Sequence, residues 1–112
     1  PFIEGAWMKK HNGKYYLQDG AAGTEFRGYA DGVVVGDNPL GTFTPQSLAF
    51  SYKPGGFARG AGHGATYQDV YNNWWHVSTI SISVKNNFER TIYLEELTFR
   101  GQSETISLCP LL

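Results

Sequence analysis

The sequence predicts an all-β fold built from antiparallel sheets, on three observations. Apolar runs are short and rich in β-branched and aromatic residues, as in Val33-Val34-Val35 and Trp74-Trp75. Glycine and proline punctuate the chain so often that no amphipathic helix of any length can be drawn. Two aromatic-rich hairpins also resemble each other across the chain, which suggests a repeated four-stranded unit.

The elements follow in order. Ile3 to Lys9 and Lys14 to Gln18 read as two strands joined across Asn12-Gly13, the strongest short hairpin signal. Gly20 to Gly28 reads as a turn-rich loop, and Tyr29 to Gly36 as a strand. The cluster Asp37-Asn38-Pro39-Leu40-Gly41 turns the chain into Thr42-Phe43-Thr44. Gly55 to Gly64 reads as a second glycine-rich loop. Ala65 to Gln68 and Trp74 to Val84 then form a second hairpin turning at Asn72-Asn73. Aligned on their turns, the hairpins put Tyr15 on Trp75 and Leu17 on Val77, an offset of about 60 residues that suits propeller blades with long loops. Chance similarity between two aromatic hairpins is the alternative. On the repeat reading the chain holds two blades and leaves sheet faces and edges uncovered.

Composition excludes several functions. The formal net charge is −1, and Lys9-Lys10 is the longest basic run, so neither nucleic acid nor an anionic membrane surface is an expected partner. No apolar stretch approaches the roughly 20 residues of a membrane-spanning helix. Cys109 is the single cysteine, which excludes an internal disulfide and a cysteine-based zinc site. The chain opens at Pro1 without an initiator methionine. Its localisation is therefore not legible, although a secreted or periplasmic parent is compatible with it.

One carboxylate stands out. Glu4 sits beside Gly5 among apolar residues at the opening of a hairpin. Burial of such a carboxyl favours its protonated form, the property a general acid needs. An exposed strand-end carboxylate would look the same in sequence.

The strings Phe2-Ile3-Glu4-Gly5-Ala6-Trp7-Met8, Asn12-Gly13-Lys14-Tyr15-Tyr16-Leu17, Gly23-Thr24-Glu25-Phe26 and Tyr29-Ala30-Asp31-Gly32-Val33 resemble glycoside hydrolase family 43. So do Asn38-Pro39-Leu40-Gly41-Thr42-Phe43, Pro54-Gly55-Gly56-Phe57, Gly60-Ala61-Gly62-His63-Gly64 and Phe88-Glu89-Arg90. The resemblance implies a fragment, about two blades, of a five-bladed β-propeller. It also implies an inverting β-xylosidase or α-arabinofuranosidase type of activity on arabinose- or xylose-containing polysaccharide.

The resemblance makes Glu4 the general acid and places the general base and a further aspartate on earlier blades, upstream of Pro1. It implies a channel-facing role for His63, beside which some members carry a structural calcium. No cofactor is otherwise expected to be required. Arg90, Trp7 and, through its Gly-Thr-Glu pattern, Glu25 are the substrate-side candidates. Core packing is the alternative for Trp7, and a surface ion pair with Glu89 the alternative for Arg90. Arg59 is a weaker candidate. His11 and His76 read as structural, and Asp31 as a solvated carboxylate at a strand start. The expected partners are an oligo- or polysaccharide and, through open sheet edges, a second copy of the chain.

The likeness covers residues 1–90. Residues 91–112 diverge from it, although Thr91 to Phe99 still alternates well enough for a strand. The break suggests a frameshift or gene-end artefact as a hypothesis; resequencing that returned this tail within an intact frame would sink it. Competing functions are a non-catalytic carbohydrate-binding β module and a truncated product without function.

Overall fold

A computed structural model describes residues 3–21, 29–46, 60–82, 89–100 and 105–108. These form eight strands: β1 (Ile3–His11), β2 (Lys14–Ala21), β3 (Ala30–Gly36), β4 (Phe43–Pro45), β5 (Gly62–Gln68), β6 (Trp74–Ser81), β7 (Arg90–Arg100) and β8 (Thr105–Leu108). They make two four-stranded antiparallel sheets, in the orders β1-β2-β3-β4 and β5-β6-β7-β8. The expected pair of antiparallel blades is what the chain builds. The tail beyond Arg90 supplies most of β7 and all of β8, including the strand foreseen over Thr91 to Phe99.

The first hairpin turns at Asn12-Gly13, whose φ angles of 47° and 78° are both left-handed, as a two-residue turn matching strand twist requires. The second hairpin is tipped differently. Its turn is the segment 69–73, in which the Asp69 N–H donates to the Asn73 carbonyl, so it does not pivot on Asn72-Asn73 alone. Asp69 organises this tip: Oδ1 accepts from the Tyr71 and Asn73 N–H groups, and Oδ2 from the Trp75 indole.

Both hairpins carry a bulge in the same place. Gly5 and Ala6 lie between the pairs Glu4–Gly20 and Trp7–Gln18, and His63 and Gly64 lie between Gly62–Thr79 and Ala65–Val77. In each, two residues oppose one, and the first bulged residue is left-handed (Gly5 φ 63°, His63 φ 53°). Matching the bulges puts Gln18 on Val77, where matching the turns put Leu17. A one-residue slip changes the face of every side chain on a strand, and the longer second tip causes it.

The sheets pack face to face. Tyr16, Val33 and Leu97 form one buried cluster, joined by Val35, Trp74 and Phe99; Ala61 and Ile80 form another with Tyr93. Alternation on β7 sends Glu95 and Leu97 into this interface and Ile92 and Leu94 outward. Ile92 and Leu94 thus stand exposed on the outward face of the second sheet, as a two-blade piece of a closed propeller would leave them.

The interface also holds polar groups. Asp31 Oδ2 accepts from the Gly64 N–H at 3.0 Å and lies 2.7 Å from His76 Nε2. His76 Nδ1 is 3.0 Å from Thr66 Oγ1, whose hydroxyl donates to Gln18 Oε1 at 2.8 Å. All four residues are buried. Asp31 is therefore not the solvated carboxylate its position at a strand start suggested. His76 has the structural place expected of it. A β-carbon on Gly64 would fall 2.3 Å from His76 Nε2 and 2.4 Å from Asp31 Oδ2, so only glycine fits there.

Candidate functional site

Antiparallel pairing brings the starts of β1, β3, β5 and β7 to one end of the two sheets. Glu4 pairs with Gly20, Gly20 with Asp31, Gly62 with Thr79, and Ser81 with Arg90. Glu4, Tyr29, His63 and Arg90 meet at this end, which lies opposite the Asn12-Gly13 turn.

Tyr29 is at the centre. Its ring is fully buried, and its phenol donates to Glu4 Oε1 at 3.3 Å. Burial raises its ionisation well above the ordinary phenol range; the negative charge of Glu4 adds to this, then that of Asp31. The Arg90 guanidinium lies 5.4 Å from the Tyr29 ring centroid, within cation–π range. Glycines make room for the ring. A β-carbon on Gly62 would lie 2.5 Å from Tyr29 Cε2, and one on Gly20 would lie 2.8 Å from Tyr29 Oη.

Glu4 itself is exposed. The desolvation its apolar neighbours promised is not supplied by these two sheets. His63 is exposed and stands on the bulge of β5, so Gly62-His63-Gly64 belongs to a strand rather than to the loop expected there. Its flanking glycines do serve close approach, to Tyr29 on one side and to Asp31 and His76 on the other. The imidazole packs against Gly5, one residue from Glu4.

Arg90 turns its donors into the blade. Nε donates to Thr79 Oγ1 at 2.9 Å, and one terminal nitrogen donates to the carbonyls of Thr79 and Gly60. Burial disfavours its charged form somewhat. Trp7 is 40 % exposed, and its indole N–H donates to the Thr66 carbonyl at 2.9 Å, tying the two sheets together. Its ring is open to solvent while its polar atom is structural. Glu25, Arg59 and Cys109 lie outside the described residues.

Among the described residues no three His, Cys, Asp or Glu side chains converge on one point, whereas calcium takes about six to eight oxygen ligands. Among the described residues, no helix is long and apolar enough to cross a membrane.

Sequence reading missed Tyr29, the residue that links Glu4 to Arg90. The signal was present but ambiguous: a tyrosine opening a strand looks like any core aromatic.

No protein-family model matches the chain. Over 47 residues, 42% of the chain, it is 47% identical to a β-xylosidase of Xylanibacter ruminicola and 45% identical to a xylosidase/arabinosidase of Bacteroides ovatus. It spans only 14% and 13% of those proteins. Among solved structures, an endo-1,4-β-xylanase from Bacteroides thetaiotaomicron superposes with a TM-score of 0.85 at 25% identity, over 98% of this chain and 38% of that one. A thermostable family-43 glycoside hydrolase superposes with a TM-score of 0.82 at 20% identity, over 97% and 36%. Sequence likeness to xylosidases and fold likeness along almost the whole chain thus make this a glycoside hydrolase family 43-like partial chain, two antiparallel blades of that propeller.

Proposed function

We propose that these blades are the acid-bearing part of an inverting glycoside hydrolase acting on arabinose- or xylose-containing polysaccharide, with Glu4 as general acid. The observation that carries this is the position of Glu4: an exposed carboxyl at the start of β1, hydrogen-bonded by Tyr29 and near His63, where the first strands of the two sheets meet. There it could protonate a glycosidic oxygen arriving from the open side.

Inversion also requires a base to activate water, at a carboxyl separation of about 6.5–9.5 Å. Asp31 is not suited to that task, because it is buried and its Oδ2 is committed to Gly64 and His76. The base and its companion aspartate belong, on this reading, to earlier blades. The 112-residue chain alone is then expected not to turn over nitrophenyl arabinofuranoside or xyloside. Turnover by the chain alone that Glu4→Gln abolished would show that it supplies its own base and would overturn this part of the reading.

The acid role has its own test. In the Bacteroides thetaiotaomicron endo-1,4-β-xylanase with its matching blades replaced by this chain, Glu4→Gln should abolish hydrolysis of xylan. The same variant should spare much of the activity on dinitrophenyl glycosides, whose leaving group needs little protonation. Equal loss on both substrates would argue against an acid.

A further inference from the structure

We infer that Tyr29 is a positioning residue for Glu4, holding its carboxyl in one rotamer at the start of β1 through the hydrogen bond from a phenol that cannot itself move. The inference rests on the reading of Glu4 as the general acid and adds a residue to that site.

The problem Tyr29 solves is set by the length of the glutamate side chain. An exposed Glu samples several rotamers, and ordering it costs up to about 1.5–2 kcal/mol of side-chain entropy. A proton donor must instead be held at one angle to the leaving oxygen. At the exposed start of β1, packing does not hold Glu4, whereas the phenol reaches it at 3.3 Å. That distance is long for an O–H donor, as is common for catalytic hydrogen bonds before substrate arrives.

The anchor is rigid for reasons drawn from both blades. Gly20 brings backbone against the phenol oxygen and Gly62 against the Cδ2–Cε2 edge of the ring, closely enough that a methyl group at either would collide with it. Arg90 covers the ring and is itself fixed to Thr79 and Gly60. The phenol also stays protonated, and so remains a donor, across the neutral range, since burial and the Glu4 charge both oppose its ionisation. A tyrosine that served only to fill the core would not need to end on a solvent-exposed carboxylate.

The test reads the rotamer of Glu4 directly in the isotope-labelled chain. Three-bond couplings across its χ1 torsion should report a single rotamer in the wild type. In Tyr29→Phe, which keeps the ring and its packing, they should average over several. Identical couplings in the two proteins, or averaged couplings already in the wild type, would overturn the inference. Should Tyr29→Phe fail to fold, the hydrogen bond can be approached from its exposed partner. Glu4→Ala should move the Tyr29 Cζ resonance upfield, and Glu4→Gln, which retains an acceptor oxygen, should restore most of that shift. No movement in either variant, or equal movement in both, would overturn it as well. Neither readout needs turnover. Failure here leaves the leaving-group test of the acid role standing, and failure there leaves these couplings as they are.

Discussion

The imidazole of His63 lies against the α-carbon of Gly5, within 3.0 Å of where a β-carbon there would stand. Each is the left-handed residue of its own blade's bulge, so the two irregularities of the repeat are stacked on each other. A side chain at Gly5 must meet both a strained backbone and the ring.

These two costs can be separated. Gly5→Ala should destabilise the chain by about 1–2 kcal/mol through its positive φ alone, with a steric part added by His63. In a His63→Gly background the steric part vanishes and the backbone part remains. Urea denaturation of the four proteins of this cycle should therefore give a coupling above the roughly 0.3–0.5 kcal/mol scatter of independent sites. Strict additivity would mean that the ring is not seated on Gly5.

Alkaline pH should act through Tyr29. Its folded-state ionisation lies above that of the unfolded chain, so the folded form keeps its proton longer. The stability this contributes is complete below about pH 10, the ordinary phenol value, and is lost as pH rises beyond it. Thermal denaturation between pH 9 and 12 should show a falling midpoint with a shallower slope in Tyr29→Phe. Glu4→Gln, by removing a carboxylate, should bring the Tyr29 titration down toward the ordinary range without reaching it.

The polar interface should be unforgiving. Asp31→Ala removes the acceptor for the Gly64 N–H and the group facing His76, all within a buried setting. Leaving a buried hydrogen-bonding group without its partner costs roughly 1–3 kcal/mol, a large share of the stability of any small domain. Gly64→Ala should be as damaging, because its β-carbon would overlap the same two side chains. Chemical denaturation followed by circular dichroism should show a large fall in midpoint for both; an unchanged midpoint for Asp31→Ala would mean the pair contributes little.

The second hairpin tip should be acid-sensitive. Asp69 ionises more readily than usual, chiefly because the Trp75 indole N–H donates to it. A lowered folded value gives stability that is present above about pH 4 and lost as pH falls further. Trp75 fluorescence should change over that range, and Asp69→Ala should abolish the change.

Much of the fold was legible because its signals are local. Asn12-Gly13 announces its turn by the φ angles those two residues tolerate. What failed is non-local. Asp31 reads as solvated until His76, 45 positions away, is placed against it. Gly62-His63-Gly64 reads as a loop because glycine weakens strands in general, yet here the glycines make room for Tyr29 and Asp31 in the opposing blade. The hairpin repeat was visible, but its alignment was off by one because nothing in sequence shows that the second tip is longer. At the end where the strand starts meet, Glu4, His63 and Arg90 had been singled out through resemblance, whereas Tyr29 acquires its place only when four strand starts converge.

The chain Gln18–Thr66–His76–Asp31 has a kinetic consequence. Its members come from four strands, and its links close over 48, 10 and 45 positions. Each hairpin can form on its own in microseconds, and the Thr66–His76 link forms within the second, but the Gln18–Thr66 and His76–Asp31 links form only when the finished sheets meet, after the entropy of a long loop has been spent. Docking of one blade on the other should therefore limit the folding rate, and until it happens each blade carries its half of the chain as polar groups on a face meant to be dry.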